Sequence, residues 1–145
     1  MDTAKNDQEM ESASVTLVDS MHFAGDIGGV RIDLDAGESV GGVGAGPRPH
    51  RLLLLAMAGC TAMDVLAILR KKRQQVSGLS VEVQGNRADQ HPRVYTRFEV
   101  LYRVRGANID PQAVARAIEL STTRYCPVIG LLGKVAEVAT RYEIE

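Results

Sequence analysis

The sequence predicts an α+β domain in which an antiparallel sheet wraps around one long buried central helix. Three observations lead to this fold class: strand-like segments come in clusters, one apolar segment is far longer than the others, and prolines mark two helix starts near the C-terminus. Strands that alternate regularly with helices would instead indicate a doubly wound parallel sheet. The predicted order of elements is therefore β-β-β-α-β-β-α-α-β.

Length and composition are typical of one small domain. The chain has 145 residues and a net charge of −1, and a chain of this length buries a sizeable core. Residues 1–13 are polar and aperiodic and should form a disordered or loose arm, whereas residues 14–145 should form the single domain. Because the N-terminus carries no apolar signal-peptide segment, we expect a cytoplasmic protein whose cysteines begin reduced.

Charge and residue types argue against several kinds of partner. Balanced charge disfavours both nucleic acid and a membrane surface. His22, His50 and His91 do not stand at ligand-like spacing from either cysteine, so the sequence predicts no metal site. We also expect no cofactor.

The first part of the domain alternates between apolar and polar residues. Val15 and Leu17, then His22 to Ala24, then Val30, Ile32 and Leu34 alternate with polar residues. With turn residues at Asp19-Ser20 and Gly28-Gly29, this pattern predicts an antiparallel meander of three strands. The glycine-rich segment Gly37 to Gly46 is then expected to be a mobile linker.

The long apolar segment from Pro49 to Gln75 predicts the central helix. Pro49 suits the first helical turn, and the basic run Arg70 to Arg73 suits the last turn, where cations meet the negative end of the helix dipole. Apolar residues cover almost the whole circumference of this helix. The segment is expected to be too short and too interrupted to span a membrane, so we predict a helix buried in a core.

Two residues one turn apart break the apolar pattern of this helix, Cys60 and Asp64. Buried cysteine often packs as a small hydrophobic residue, and a buried aspartate often bonds a basic side chain across the core. An ionised Asp64 would repel a thiolate at Cys60, so a reactive Cys60 requires an arginine or histidine nearby.

The second half of the chain predicts a hairpin, two short helices and a final strand. Leu79 to Arg87 and Arg93 to Gly106 alternate as paired strands, and Ala139 to Ile144 forms the last strand. Asp110-Pro111 and Cys126-Pro127 each combine a capping residue with a first-turn proline. At this position the helix N-terminus is expected to lower the thiol pKa of Cys126.

Two cysteines on helices that pack in one core can meet, as an attacking and a resolving thiol must. Cys60 thiolate would attack the O–O bond of a peroxide and become a sulfenic acid. Condensation with Cys126 would then form a disulfide, which an external dithiol reduces. Apolar surroundings would favour organic hydroperoxides over hydrogen peroxide.

Two sequence motifs surround the cysteines: LLLLAMAGCTAMDVLAIL contains Cys60, and ARAIELSTTRYCPV contains Cys126. With the paired strands between them, they make the chain from about Val15 onwards resemble the OsmC/Ohr family, named for osmotically inducible protein C and the organic hydroperoxide resistance protein. The family comprises thiol-dependent hydroperoxide reductases that form intertwined homodimers. The resemblance implies the same dimer here, with Cys60 as the peroxidatic and Cys126 as the resolving cysteine.

The chain departs from this family at the charged residues that stabilise the thiolate of the first cysteine. Peroxidase members pair a glutamate upstream of the first cysteine with an arginine from the early strands, whereas the corresponding stretch here reads Arg48, Pro49, His50, Arg51. Arg31 is the arginine of the early strands. One interpretation is that His50 or Arg51 faces the thiolate, with Asp64 as the orienting carboxylate. In the other, His50 and Arg51 merely begin the helix and point to solvent.

Because the upstream glutamate of the peroxidase members is missing here, a second function is also an alternative. The same fold could hold a lipophilic or electrophilic small molecule without turnover, as a binding protein. A redox sensor that signals through its disulfide is a third alternative.

Overall fold

The computed structural model describes residues 10–145. The described chain forms two compact units, residues 10–52 and 53–145, and each is described by itself. Residues 1–9 of the predicted N-terminal arm lie outside the described residues.

The first unit contains the predicted three-stranded antiparallel meander. Its strands are β1 (Ala13–Asp19), β2 (His22–Ile27) and β3 (Val30–Leu34), paired in the order β1-β2-β3. Ser20 at the first turn has a φ of 49°, and Gly28 and Gly29 at the second have φ of 58° and 82°. Left-handed backbone at these positions explains why the sequence places turn-forming residues there.

The expected mobile linker at Gly37–Gly46 is wrong, because the segment folds around a buried carboxylate. Asp35 is 2% exposed. Its two carboxylate oxygens accept hydrogen bonds from the backbone N–H groups of Ala36, Val43 and Ala45, at 2.7, 3.0 and 3.0 Å. These bonds lower the pKa of Asp35 because they stabilise its charged form. One side chain therefore orders the whole loop from its start to its end.

The central helix is shorter than predicted. A 3₁₀ turn, Pro49–Arg51, precedes α1, which spans Leu52–Lys71. Arg73 has a φ of 58°, and left-handed backbone at this residue ends the helix before Gln75. Arg70 lies in the last turn, as predicted from the helix dipole.

In the single chain, α1 is buried along one side rather than all round. The buried residues follow one another at helical spacing: Met57, Thr61, Val65 and Leu69. On other sides of the helix Leu55 is 68% and Met63 is 74% exposed. The helical segment Pro49–Lys71 has 23 residues and a mean hydropathy of 2.2, so by length and composition alone it could cross a membrane. The expectation that it is too short and too interrupted was therefore wrong, although core helices of soluble proteins have the same properties.

The second unit adds a three-stranded sheet in the order β4-β5-β6. Its strands are β4 (Gln75–Arg87), β5 (Tyr95–Ala107) and β6 (Glu137–Ile144). The β4–β5 hairpin is antiparallel as predicted, but β6 pairs parallel to β5. A parallel pair needs a long crossover, and the helical segment between residues 107 and 137 supplies one.

This crossover contains α2 (Pro111–Leu120), one turn of π-helix (Ser121–Tyr125) and α3 (Pro127–Leu132). Asp110 caps α2 as predicted, since its carboxylate accepts a hydrogen bond from the N–H of Gln112. The core of the unit is formed by the buried side of α1, by inward-facing residues of β5 and by α2. Its largest fully buried side chains are Tyr102, Phe98, Met57, Leu69 and Val65. This arrangement places the N-terminus of α3 beside the middle of α1.

Candidate active site

The structure brings both cysteines and Asp64 to one place in the second unit. Cys60 is half-buried on α1, and Cys126 is 4% exposed at the start of α3. Their sulfur atoms and one carboxylate oxygen of Asp64 all lie within 4.8 Å of one another. Both cysteines are free thiols. Cys60 and Asp64 are one turn apart, so α1 presents them on the same side.

Backbone geometry positions Cys126. The residue has an extended backbone, with φ −75° and ψ 109°, and caps α3 immediately before Pro127. Its own N–H donates to the carbonyl oxygen of Ser121 at 2.8 Å, which ties it to the π-helical turn. Its sulfur accepts a hydrogen bond from the N–H of Ile129 at 3.4 Å. The capping role predicted from Cys126-Pro127 is therefore confirmed.

The expected lowering of the Cys126 pKa by the helix N-terminus is wrong in its net direction. Burial raises the pKa of the Cys126 thiol to about 11, and the N–H of Ile129 offsets only part of that effect. A hydrogen bond with Cys60, and the negative charge of Cys60, raise this pKa further. Cys126 therefore keeps its proton near neutral pH, and Cys60 is the more exposed of the two thiols.

Three buried hydroxyl groups form a chain that ends on Asp64. The Tyr102 hydroxyl lies 2.7 Å from Thr61 Oγ1, which lies 2.7 Å from Ser121 Oγ. The Ser121 hydroxyl donates to Asp64 Oδ2 at 3.0 Å. Tyr102, Thr61 and Ser121 are each 0% exposed. Asp64 thus accepts a hydrogen bond from a hydroxyl group. A basic side chain is the more usual partner of an aspartate in a protein core.

The number of available protons determines which hydroxyl is the donor in each hydrogen bond of this chain. Each hydroxyl has one proton, and an ionised carboxylate only accepts. Since Ser121 donates to Asp64, Thr61 must donate to Ser121, and Tyr102 must donate to Thr61. Burial raises the pKa of Tyr102 to about 12, which keeps its proton available for this bond. The hydroxyl chain therefore directs all its dipoles toward Asp64 and stabilises a carboxylate beside the two sulfurs.

The hydroxyl chain gives a stability prediction at Thr61. In Thr61→Val the buried Tyr102 hydroxyl loses its acceptor, and Ser121 Oγ loses a donor. We expect a loss of about 2 kcal/mol in the free energy of unfolding, because a buried polar group without a partner costs that much. Urea denaturation measures the loss. Thr140→Val, on the exposed surface of β6, is the control and should change the free energy by less than about 0.5 kcal/mol; equal effects for both variants would contradict the prediction.

Sequence reasoning missed Thr61, Ser121 and Tyr102. The available signal for Thr61 was a hydroxyl immediately after Cys60, on a helix otherwise predicted to be apolar. Ser121 stands within the same motif as Cys126. Tyr102 alternates with apolar residues along β5 and carries no such signal.

An open groove adjoins Asp64. It has a volume of about 610 Å³ and is lined by apolar residues of α1 and α2 together with two lysines. The lining residues are Asp64, Ala67, Ile68, Lys71, Lys72, Leu120 and Tyr125. The groove offers an apolar surface that begins at Asp64 and has positive charge at Lys71 and Lys72.

The other predicted site residues belong to the first unit. Arg31 lies on β3 and binds the carboxylate of Asp33 at 2.8 Å. His22 bonds the same carboxylate at 2.6 Å, and together these bonds hold the pKa of Asp33 down at about 2. His50 and Arg51 lie in the 3₁₀ turn before α1. A contact of Arg31, His50 or Arg51 with the thiolate remains a prediction.

Sequence comparison identifies the family. The profile of the OsmC-like protein family matches residues 42–141, which include both cysteines and Asp64. The chain belongs to the OsmC-like family. It is 37% identical over 98 residues to protein YhfA of Escherichia coli (strain K12), an overlap that covers 68% of this chain and 73% of YhfA.

Solved structures place the chain in the OsmC-like fold. A hypothetical protein from Aquifex aeolicus VF5 is similar with a TM-score of 0.84 and 26% identity, over 95% of this chain and 98% of that one. An organic hydroperoxide resistance protein OsmC from Legionella pneumophila is similar with a TM-score of 0.68 and 12% identity, over 94% and 98% of the two chains. At that identity the Legionella structure supports the fold alone.

Proposed function

We propose that this OsmC-like protein is a thiol-dependent peroxidase that reduces organic hydroperoxides through Cys60 and Cys126. The observation that carries the proposal is the approach of the two free sulfurs and the Asp64 carboxylate to within 4.8 Å. A structural relative described as an organic hydroperoxide resistance protein points in the same direction. Antioxidant protection would then be the role of the protein under oxidative stress.

Cys60 performs the first step. Its thiolate attacks the terminal peroxide oxygen, the O–O bond breaks, and the alkoxide leaves and takes a proton from solvent to become an alcohol. Cys60 is then a sulfenic acid. The half-buried position of Cys60 supports this role, because substrate can reach it while Cys126 is 4% exposed.

Asp64 assists the second step. The Cys126 sulfur attacks the sulfenic sulfur, a disulfide forms, and hydroxide leaves. We assign to Asp64 the transfer of the Cys126 proton to this leaving hydroxide, so that water departs. The hydroxyl chain from Tyr102 ends in the hydrogen bond from Ser121 to Asp64 Oδ2, and this bond orients the carboxylate beside the two sulfurs. An external dithiol then reduces the disulfide by exchange.

Thiol titration tests the proposed peroxidase. Reduced protein is mixed with one equivalent of cumene hydroperoxide, and free thiols are counted. We expect both thiols to disappear together with one equivalent of peroxide, and to return on addition of a dithiol. Unchanged thiols at equimolar peroxide would overturn the proposal. Hydrogen peroxide at the same concentration serves as the comparison substrate and should react more slowly.

The groove beside Asp64 favours a second candidate, a binding protein for a lipophilic or electrophilic small molecule. Its apolar walls and its volume of about 610 Å³ suit a small organic ligand. Native mass spectrometry of the purified protein distinguishes the two functions. An added mass with slow peroxide consumption supports binding, whereas fast consumption supports the peroxidase.

We further propose a cytoplasmic homodimer, with no nucleic-acid or membrane partner. Exposed Leu55 and Met63 on α1 support association, because large apolar side chains on a long helix favour burial against another surface. Sedimentation of the reduced chain measures the assembly. Arg31, His50 and Arg51 are proposed to supply positive charge to the thiolate in the assembled protein.

A further inference from the structure

We propose that Cys60, Asp64 and Cys126 form a binding site for a thiophilic divalent cation of the Zn²⁺ class. The ligand atoms are two sulfurs and one carboxylate oxygen, and all lie within 4.8 Å of one another. The histidines do not stand at ligand-like spacing from the cysteines, and the third ligand is instead a carboxylate, Asp64. Helix α1 supplies two ligands one turn apart, and Cys126, the residue that caps α3, supplies the third.

The distances suit tetrahedral coordination. With Zn–S bonds of about 2.3 Å, two sulfurs of a tetrahedral site stand about 3.8 Å apart. Since the three atoms already lie within 4.8 Å of one another, the two sulfurs are at most about 1 Å further apart than this geometry requires. Thiolate ligands select Zn²⁺ over the harder Mg²⁺ and Ca²⁺, which prefer oxygen. Three protein ligands leave a fourth position for water or a small molecule.

Outer hydrogen bonds orient two of the three ligands. Ser121 donates to Asp64 Oδ2 and thereby fixes the orientation of this carboxylate. The N–H of Ile129 donates to the Cys126 sulfur, a bond that becomes stronger when this sulfur is a thiolate. Metal sites in proteins commonly orient their ligands in this way.

Charge balance also favours binding of the cation. With both thiols ionised, the half-buried site would contain three negative charges, and a dication offsets most of them. Binding therefore releases the two thiol protons to solvent. The inference goes beyond peroxidase activity and requires no oxidant.

Cobalt spectroscopy tests the site on the reduced full-length protein under argon. Titration with Co²⁺ should give thiolate-to-cobalt charge-transfer absorption and the visible bands of four-coordinate cobalt, with an end-point of one ion per chain. Added Zn²⁺ should remove both signals. Because no peroxide is present, absence of Co²⁺ binding would contradict the metal site and would not contradict the proposed peroxidase. Likewise, a failed peroxide titration would contradict the peroxidase and would not contradict the metal site.

Variants assign the ligands. Cys60→Ser and Cys126→Ser should each abolish or strongly weaken the charge-transfer band. Asp64→Asn keeps the size of the side chain and should lower Co²⁺ affinity by about tenfold or more, and Ser121→Ala should lower it by about tenfold. Asp89→Asn, an exposed aspartate in the β4–β5 loop, is the control and should bind as wild type does. Absence of the band in wild type, or equal affinity in Asp64→Asn and wild type with circular dichroism showing both folded, would overturn the proposal.

Discussion

Cys126→Ser should stop catalytic turnover and yet leave the first oxidation intact, whereas Cys60→Ser should abolish both. The two sulfurs differ in exposure, because Cys60 is half-buried and Cys126 is 4% exposed. Burial also raises the pKa of the Cys126 thiol to about 11. Peroxide therefore meets Cys60 first. Without the second thiol, the Cys60 sulfenic acid cannot condense and should accumulate to one equivalent per chain.

Mass spectrometry with a sulfenic-acid trapping reagent measures this outcome after one equivalent of cumene hydroperoxide. Steady-state peroxide consumption with an external dithiol should fall by a factor on the order of 10³ in Cys60→Ser. Serine is close to cysteine in size, so circular dichroism should show both variants folded. A trapped adduct on Cys126 in the Cys60→Ser protein, formed as fast as that on Cys60, would contradict the assigned order of the two thiols.

Local sequence signals predicted most of the fold. Turn residues such as Gly28 located the strand boundaries, because left-handed backbone favours glycine wherever it occurs. Asp110 and Cys126 located two helix starts in the same way, since a cap bonds the N–H groups of its own first turn. These signals depend only on near neighbours in the chain, so one sequence is enough to interpret them.

Features that depend on distant residues were not predictable in this way. The carboxylate of Asp35 orders a loop through backbone groups as far away as Ala45, and glycine content alone suggested mobility there. The pKa of Cys126 depends on burial by other elements, which outweighs the local helix N-terminus. The hydroxyl chain joins residues 41 to 60 positions apart, from Tyr102 and Ser121 to Thr61. Only the folded core brings such groups together.

Asp64→Asn should slow disulfide formation by about 10²-fold, while Cys60 is oxidised at least as fast as in wild type because the neighbouring negative charge is gone. The amide is close to the carboxylate in size and can still accept the hydrogen bond from Ser121, so the site should keep its shape. What it loses is a base within 4.8 Å of the two sulfurs. Removal of a positioned general base typically costs 10²- to 10⁴-fold, and we expect the lower end because solvent hydroxide can replace it.

Stopped-flow mixing with cumene hydroperoxide separates the two steps, because sulfenic acid should accumulate transiently in Asp64→Asn and not in wild type. Asp64→Glu restores the carboxylate and should recover part of the rate. Tyr102→Phe shortens the hydroxyl chain at its far end and should change the rate much less, since Ser121 and Thr61 still donate toward Asp64. Equal slowing in Asp64→Asn and Tyr102→Phe would mean that the network only maintains the fold. A slow second step in Asp64→Asn alone would instead identify the carboxylate as the group that moves the Cys126 proton.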